Sequence, residues 1–181
     1  MDSIESIKGR EPNLASVETP AGEAVIVIRR SFAAPRALVW RCYTDPAHLV
    51  QFWGPKGASN PVSDLDLRVG GHWRQVMRFA SGNEYGYTSA YLEITPPERL
   101  VWRDAPDAYR FGDELPPPNM VTEMTLGEVA GRTTLTVIVR FTSLVARDEA
   151  VSHGFATTVL QASDKLDVYL ETLAAGAATQ S

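Results

Sequence analysis

The sequence predicts an α+β domain in which a curved antiparallel sheet of about six to seven strands wraps around a long C-terminal helix. Three observations predict it. Apolar and polar residues alternate with period two through much of residues 62–141, and turn residues interrupt the alternation at hairpin spacing. Two short helical stretches separate a first β-branched segment from that region. Apolar residues then recur every three or four positions over residues 151–173, as they do along one face of a long helix.

Size and charge bound the function classes. A chain of 181 residues fits one domain, and such a domain buries about two thirds of its unfolded surface. The formal net charge is −5 and the basic residues are scattered, which leaves no footprint for nucleic acid or anionic lipid. The lone cysteine, Cys42, excludes an intramolecular disulfide framework. No apolar run approaches the roughly 20 residues of a bilayer span. Residues 1–22 are polar and carry neither the basic start nor the apolar stretch of a signal peptide, so a cytoplasmic location is expected. That segment lacks periodicity and is read as a flexible arm. Residues 23–174 are read as the single domain, and residues 175–181 as a flexible C-terminus.

The elements follow in order. Residues 23–30 are β-branched and bounded by Gly22 and Pro35, which makes them the first strand. Pro35 suits a helix's first turn, and Leu38, Val39, Cys42 and Tyr43 recur at helical spacing up to Thr44. Asp45 then precedes Pro46 as an N-cap precedes a first-turn proline, and the second helix runs until Gly54-Pro55 stops it. Leu65, Leu67 and Val69 share one face of a strand over residues 62–69, and Gly70-Gly71 turns it into the next. There Trp73, Gln75, Met77 and Phe79 share a face. A Ser81-Gly82-Asn83 turn leads to residues 85–94, with Ala90, Leu92 and Ile94 in phase. A short strand at residues 100–103 is followed by a proline-rich loop over 104–119. The strands at 120–128 and 133–141 complete the meander. The stripe Val151, Phe155, Val159, Ala162, Leu166, Tyr169 and Leu173 belongs to the last helix. A twisted sheet curled around such a helix is hard to fill everywhere, so a cavity between them is expected.

Three segments carry a family resemblance: RRSFAAPRALVWRCYTDPAHLVQFWGP, DLRVGGHWR and LEITPPERLVW. With the order of elements, they resemble the START-like superfamily, also called SRPBCC, and within it the homologues of the activator of the ninety-kilodalton heat-shock protein's ATPase. The resemblance covers residues 23–173. It implies the helix-grip fold and a hydrophobic ligand pocket, in a largely bacterial family whose ligands are mostly unknown. Some superfamily relatives act as cyclases, hydrolases or lipid carriers, and the family name raises a stress-related role. One departure stands out: members of the family commonly carry Gly-Trp where this chain has Thr158-Val159, while Gly154, Asp164, Lys165 and Leu166 agree.

The candidate ligand-binding residues are Trp53, Trp73, Gln75, Met77, Tyr87, Trp102, Met124, Phe155 and Val159. Trp53, at the end of the second short helix, is placed to close one end of the groove as a gate or to cap the sheet edge. Trp73, Met77 and Trp102 read equally as sheet-face core. Gln75, in phase with them, becomes a buried amide that needs partners. Glu123 and Arg74 form an interior pair only if their strand phase turns them inward; otherwise they are surface positions. No catalytic residue is assigned. His48, His72 and His153 show no metal-ligand spacing with Cys42, so neither a metal nor a cofactor is expected. Asp64 and Asp66 read as the wet face of a strand, and Cys42 as a buried small hydrophobe.

Three functions fit these readings. The first is binding of a small apolar or amphipathic molecule between sheet and long helix. The second is an enzyme of the cyclase, dehydratase or hydrolase type in the same pocket, which needs Gln75, Tyr87 or Glu123 facing inward. The third is a chaperone-interaction module with an exposed docking patch. The expected partner is a small molecule, with no nucleic acid and no membrane insertion. A homodimer is compatible with an open strand edge.

Overall fold

A computed structural model describes residues 14–178. Eight antiparallel strands form one curved sheet: β1 (Ala15–Glu18), β2 (Val25–Phe32), β3 (Ser59–Leu65), β4 (His72–Arg78), β5 (Glu84–Thr95), β6 (Arg99–Ala105), β7 (Met120–Val129) and β8 (Arg132–Phe141). Four helices accompany it: α1 (Arg36–Thr44), α2 (Pro46–Leu49), α3 (Leu144–Ser152) and α4 (Phe155–Ala178). The strand order is β1-β2-β8-β7-β6-β5-β4-β3. Strands β3 to β8 are a plain meander, and β2 crosses to pair with β8 from Val25↔Arg140 to Phe32↔Thr133. This is the helix-grip arrangement that the sequence predicts.

The core lies between the concave face of the sheet and the helices. Ile26, Ile28 and Phe32 of β2 share that face with Leu135, Val137 and Val139 of β8 and with Met124 and Leu126 of β7. Val39 and Cys42 of α1, Leu49 of α2, and Leu166 and Leu170 of α4 close over them. Burial pushes the Cys42 thiol up to about 11, which fits a small hydrophobe and not a reactive thiolate.

Several elements depart from the sequence reading. The segment read as a flexible arm contributes β1, whose described part begins at Leu14; residues 1–13 of that reading lie outside the described residues. All four β1 residues are exposed. The strand is held by backbone pairing to β2, by the Leu14–Ser31 exchange of hydrogen bonds and by the Glu18–Arg29 ion pair, none of which leaves a hydrophobic pattern. The C-terminal segment from residue 175 continues α4 up to Ala178, because alanine favours the helix even without an apolar stripe.

Val151 is not on the long helix. It belongs to α3, which Ser143 caps by accepting the Ala146 N–H, and Gly154 at φ +76° separates α3 from α4. Buried Arg147 anchors α3 by donating to the Pro20 and Glu23 carbonyls. Leu67 and Val69 are exposed, because the chain leaves β3 after Leu65 in a tight turn where Arg68 holds the Asp66 carboxylate and stacks 3.6 Å over Phe111. A bulge between Tyr91 and Glu93 leaves Leu92 exposed and puts Ile94, opposite Leu100, on the concave face with Tyr91 and not on the face of Ala90.

The 106–119 loop is fastened to the convex face. Tyr109 is buried there, its hydroxyl donating to the Gly70 carbonyl at 2.6 Å, while Arg74 donates to the Tyr109 carbonyl. At the loop's far end, Asp104 accepts from the backbone of Asn119 and Met120. Gly71 sits beneath this arrangement, where a Cβ would run into the Asp66 and Arg68 carbonyl oxygens. Gly71→Ala is expected to cost about 2–3 kcal/mol, since only backbone could give way; a urea midpoint equal to that of the wild type would refute this.

Candidate functional site

Most of the predicted ligand-binding residues meet on the concave face of β4, β5 and β6. Pairing of Gln75 with Tyr87 and of Tyr91 with Trp102 puts these side chains on the same face as Trp73 and Met77. Trp73 is the hub. Its ring lies 4.6 Å from that of Trp53, 5.6 Å from Trp102 and 6.0 Å from Tyr87, all edge-on. Burying these rings is what the alternation in β4 encodes.

Gln75 is 0% exposed, and both ends of its amide are used. Its Oε1 accepts the Trp73 indole N–H at 3.1 Å, and its Nε2 donates to Asn60 Oδ1 at 2.7 Å. Asn60 Nδ2 in turn donates to the carbonyls of Val50 and Trp53 at 3.1 and 3.0 Å. A chain of hydrogen bonds therefore runs from mid-sheet to the turn that carries Trp53. A satisfied buried network of this kind fixes geometry, because breaking any member strands a desolvated partner.

The turn at Trp53 is also fixed from the helix side. Lys165 Nζ donates to the carbonyls of Trp53 at 3.1 Å and of Gly54 and Pro55 at 3.4 Å. Partial burial lowers the Lys165 pKa, and the three carbonyl dipoles solvate its charge in place of water. Four residues to either side on α4, Gln161 accepts the Lys56 N–H at 3.0 Å and the Tyr169 hydroxyl shares a 2.8 Å hydrogen bond with His48. Gly54, at φ +81°, lies so close to β4 that a Cβ there would fall 2.6 Å from Met77 Sδ. Trp53 is thus half-buried on a fixed turn, not on a free gate. Where this turn meets α4, a solvent-open hollow of about 420 Å³ is lined by Gln51, Lys56, Asp164, Lys165, Val168, Tyr169 and Thr172.

The remaining candidates are dispersed. Met124 is wholly buried opposite Leu100 and Val137. Phe155 meets Phe141, with ring centroids 6.3 Å apart, and Val159 is half-buried against the core. Glu123 faces outward, bound to Arg99 and Arg140, and Arg74 faces outward beside Asp64; the two form no interior pair. Their phase follows from the registers Val101↔Glu123 and Asp64↔Arg74. His72, with Arg74, holds the Asp64 carboxyl below its usual range. Among the described residues, no three of His, Cys, Asp or Glu are grouped to hold a metal ion, and no helix is long and apolar enough to cross a membrane.

The sequence reading gave Asn60 no role and named Lys165 only for its agreement with the family. Each has a role set by a distant partner, and Asn60 sits at the irregular step between Ser59 and Val62 that breaks the strand period. The Tyr87 hydroxyl is buried with no hydrogen-bond partner. Burial raises its pKa well above the usual phenol value, and the adjacent Trp53 indole offsets this only in part, without a hydrogen bond of normal geometry.

The family model described as Activator of Hsp90 ATPase homolog 1-like protein matches residues 33–171. Comparison with curated proteins yields no match. Among solved structures, a Nitrosomonas europaea protein is 26% identical with a TM-score of 0.76, covering 86% of this chain and 99% of its own. A Rhodobacter sphaeroides protein is 26% identical with a TM-score of 0.73, covering 87% and 99%. A Mycobacterium smegmatis protein, 24% identical over 90% of this chain and 99% of its own, shares the fold at a TM-score of 0.77.

Two outcomes are expected from this geometry. Lys165→Met leaves three carbonyls without their cation and should destabilise the fold by about 1.5–3 kcal/mol, read from urea unfolding. Alkaline pH should also destabilise it. Burial raises the pKa values of Tyr43, Tyr87 and Tyr91, so the folded protein keeps phenol protons that the unfolded chain releases from about pH 10. Stability then falls as pH rises past 10. Lys165, with its lowered pKa, acts in the opposite sense below about 10.5, but it is one group against five, since burial also raises Cys42 and Tyr169. Urea midpoints that do not change between pH 9 and pH 11 would contradict this.

Proposed function

The chain belongs to the Activator of Hsp90 ATPase homolog 1-like family, and from that membership we propose that it binds a small apolar or amphipathic molecule between the concave sheet face and α4. One observation supports the reading most directly. At the N-terminal end of α4, large apolar side chains from three elements stay half-buried although they pack on a complete core: Met120, Phe141, Phe155, Val159 and Leu160. Met120 pairs with Phe141, and Phe141 touches Phe155, so the β7, β8 and α4 members adjoin. A hollow of about 160 Å³ opens beside Met120 and Phe141. Removing such surface from water is favourable at roughly 25 cal/mol per Å², and an apolar ligand does this where the chain itself does not.

Entry requires Phe155 to move off Phe141, since Trp73 and Met124 already fill the deeper interior. Val159 then decides how much room remains. It stands where the family resemblance implies an indole, and the smaller side chain leaves space on the helix side of the ligand.

A thermal-shift screen of lipophilic compounds, followed by native mass spectrometry of the hits, tests the reading. We expect compounds that raise the melting temperature by RT ln(1 + [L]/Kd) equivalents and remain bound in the gas phase. Val159→Trp should weaken such binding at least tenfold while shifting the melting temperature of the free protein by no more than a few degrees. A screen without a single stabilising compound, or equal affinity in V159W, would remove the support.

A further inference from the structure

We propose that the hollow between the Gln51 to Lys56 turn and the outer flank of α4 is a binding site of its own, which takes a small monocarboxylate with an apolar body, an aryl or branched-alkyl acid.

The hollow lies on the solvent side of α4, away from the concave face. Leu166 and Leu170 turn toward the sheet, whereas Asp164, Lys165, Val168, Tyr169 and Thr172 form a neighbouring stripe at helical spacing and line the hollow. Its volume of about 420 Å³ is that of a small-molecule site. The opposite wall is held in place. Lys165 binds the carbonyls of Trp53, Gly54 and Pro55, and Gln161 accepts the Lys56 N–H at 3.0 Å. The cleft therefore exists before a ligand arrives, and little ordering is left for binding to do.

Lysine placement gives the site its sign. The chain has fourteen arginines and only three lysines, and two of the three, Lys56 and Lys165, line this hollow. In a chain of net charge −5 this is a local excess of positive charge, because the one acid of the lining, Asp164, is engaged from β2 by Arg30 at 3.1 Å. Lys165 contributes a fixed charge, committed to backbone. Lys56 is available: its side chain is 67% exposed, and its ammonium stands 3.8 Å from Asp164. Among the uncharged groups, the Tyr169 hydroxyl is shared with His48, and the Thr172 hydroxyl donates to the Tyr169 carbonyl at 2.7 Å. The Gln51 amide spends one N–H on the Ala47 carbonyl at 3.3 Å and keeps a second. One mobile ammonium and one amide N–H match the two oxygens of a carboxylate, whereas a doubly charged phosphate would keep part of its charge unmatched.

The remaining lining asks for an apolar body. Val168 is 63% exposed in the middle of this flank, beside the half-buried Tyr169. A ring or branched chain laid across them removes apolar surface from water, while the carboxylate reaches Lys56 and Gln51 at the mouth. A bare anion or an uncharged apolar molecule uses only half of the site.

The test compares phenylacetate, phenylacetamide and acetate on the full chain, by calorimetry and ligand-observed NMR. We expect phenylacetate to bind roughly five- to tenfold tighter than either of the others, and to weaken as salt is raised. Lys56→Met keeps the stem and removes the charge; it should weaken phenylacetate roughly fivefold and leave phenylacetamide unchanged. Val168→Glu sets a carboxylate among the lining residues and should weaken phenylacetate by roughly tenfold. Both positions are exposed, so both variants should melt as the wild type does. Val159→Trp, which narrows the concave side, should leave phenylacetate affinity unchanged. Loss of binding in V159W would put the anion on the concave face and overturn the proposal. Equal affinity for phenylacetate and its amide, unchanged affinity in K56M or V168E, or no binding of phenylacetate would also overturn it. These last outcomes leave the concave-face reading standing, since that reading is decided by its own screen.

Discussion

A 24-residue helix must be fixed against a sheet with which it shares no strand pairing, and the rest of the structure depends on how that is done. Burial of Ala162, Leu166 and Leu170 supplies attraction but little direction, because hydrophobic contact is not oriented. Direction comes from polar groups on the same helix. Arg30 of β2 engages Asp164 and Asp167, while Gln161, Lys165 and Tyr169, spaced by four, bind successive points of the segment from His48 to Lys56. With α4 so registered, the Trp53 turn, the Asn60–Gln75 bridge and the aromatic wall of β4 to β6 have a fixed counterpart.

This arrangement gives the concave face two characters. Around β2, β7 and β8 it is ordinary core, closed by α1 and the middle of α4. Around β3, β4 and β5 it is aromatic and polar together, with an internal hydrogen-bond network and hydroxyls that the fold leaves unsatisfied. Cores are rarely built that way, since an apolar residue at Ser63 would cost less.

The fold was legible because its main signals are periodic. Alternation in β4, with Trp73, Gln75 and Met77 in phase, and the four- and three-residue steps from Phe155 to Leu173 survive without knowledge of partners. Asp45 and Pro46 marked the start of α2 by local chemistry, and the Asp45 side chain does accept the Ala47 N–H. What escaped was set by long-range or irregular features. β1 has no side-chain pattern because its bonds are made by backbone. Leu92 was misplaced by a bulge, and Val151 by a glycine that ends one helix and begins another. The site was legible only as a face: Trp53, Trp73, Gln75, Tyr87 and Trp102 do gather. Asn60 and Lys165, which hold that gathering in place, have no local signature that distinguishes them from surface residues.

The strand order has a consequence for how the molecule is made. β2 ends at Phe32, yet its partner β8 begins at Arg132, so its inner edge waits for about a hundred residues of further synthesis before it is paired. Until then the apolar segment from Val25 to Ile28 and the late edge of β7 are both open templates for wrong pairing. Closure of the sheet is therefore a late, high-contact-order event that brings the two ends of the domain together at once. The meander and α1 can organise earlier, but the grip on α4 cannot form before that closure, because Arg30 lies on the strand that arrives with it.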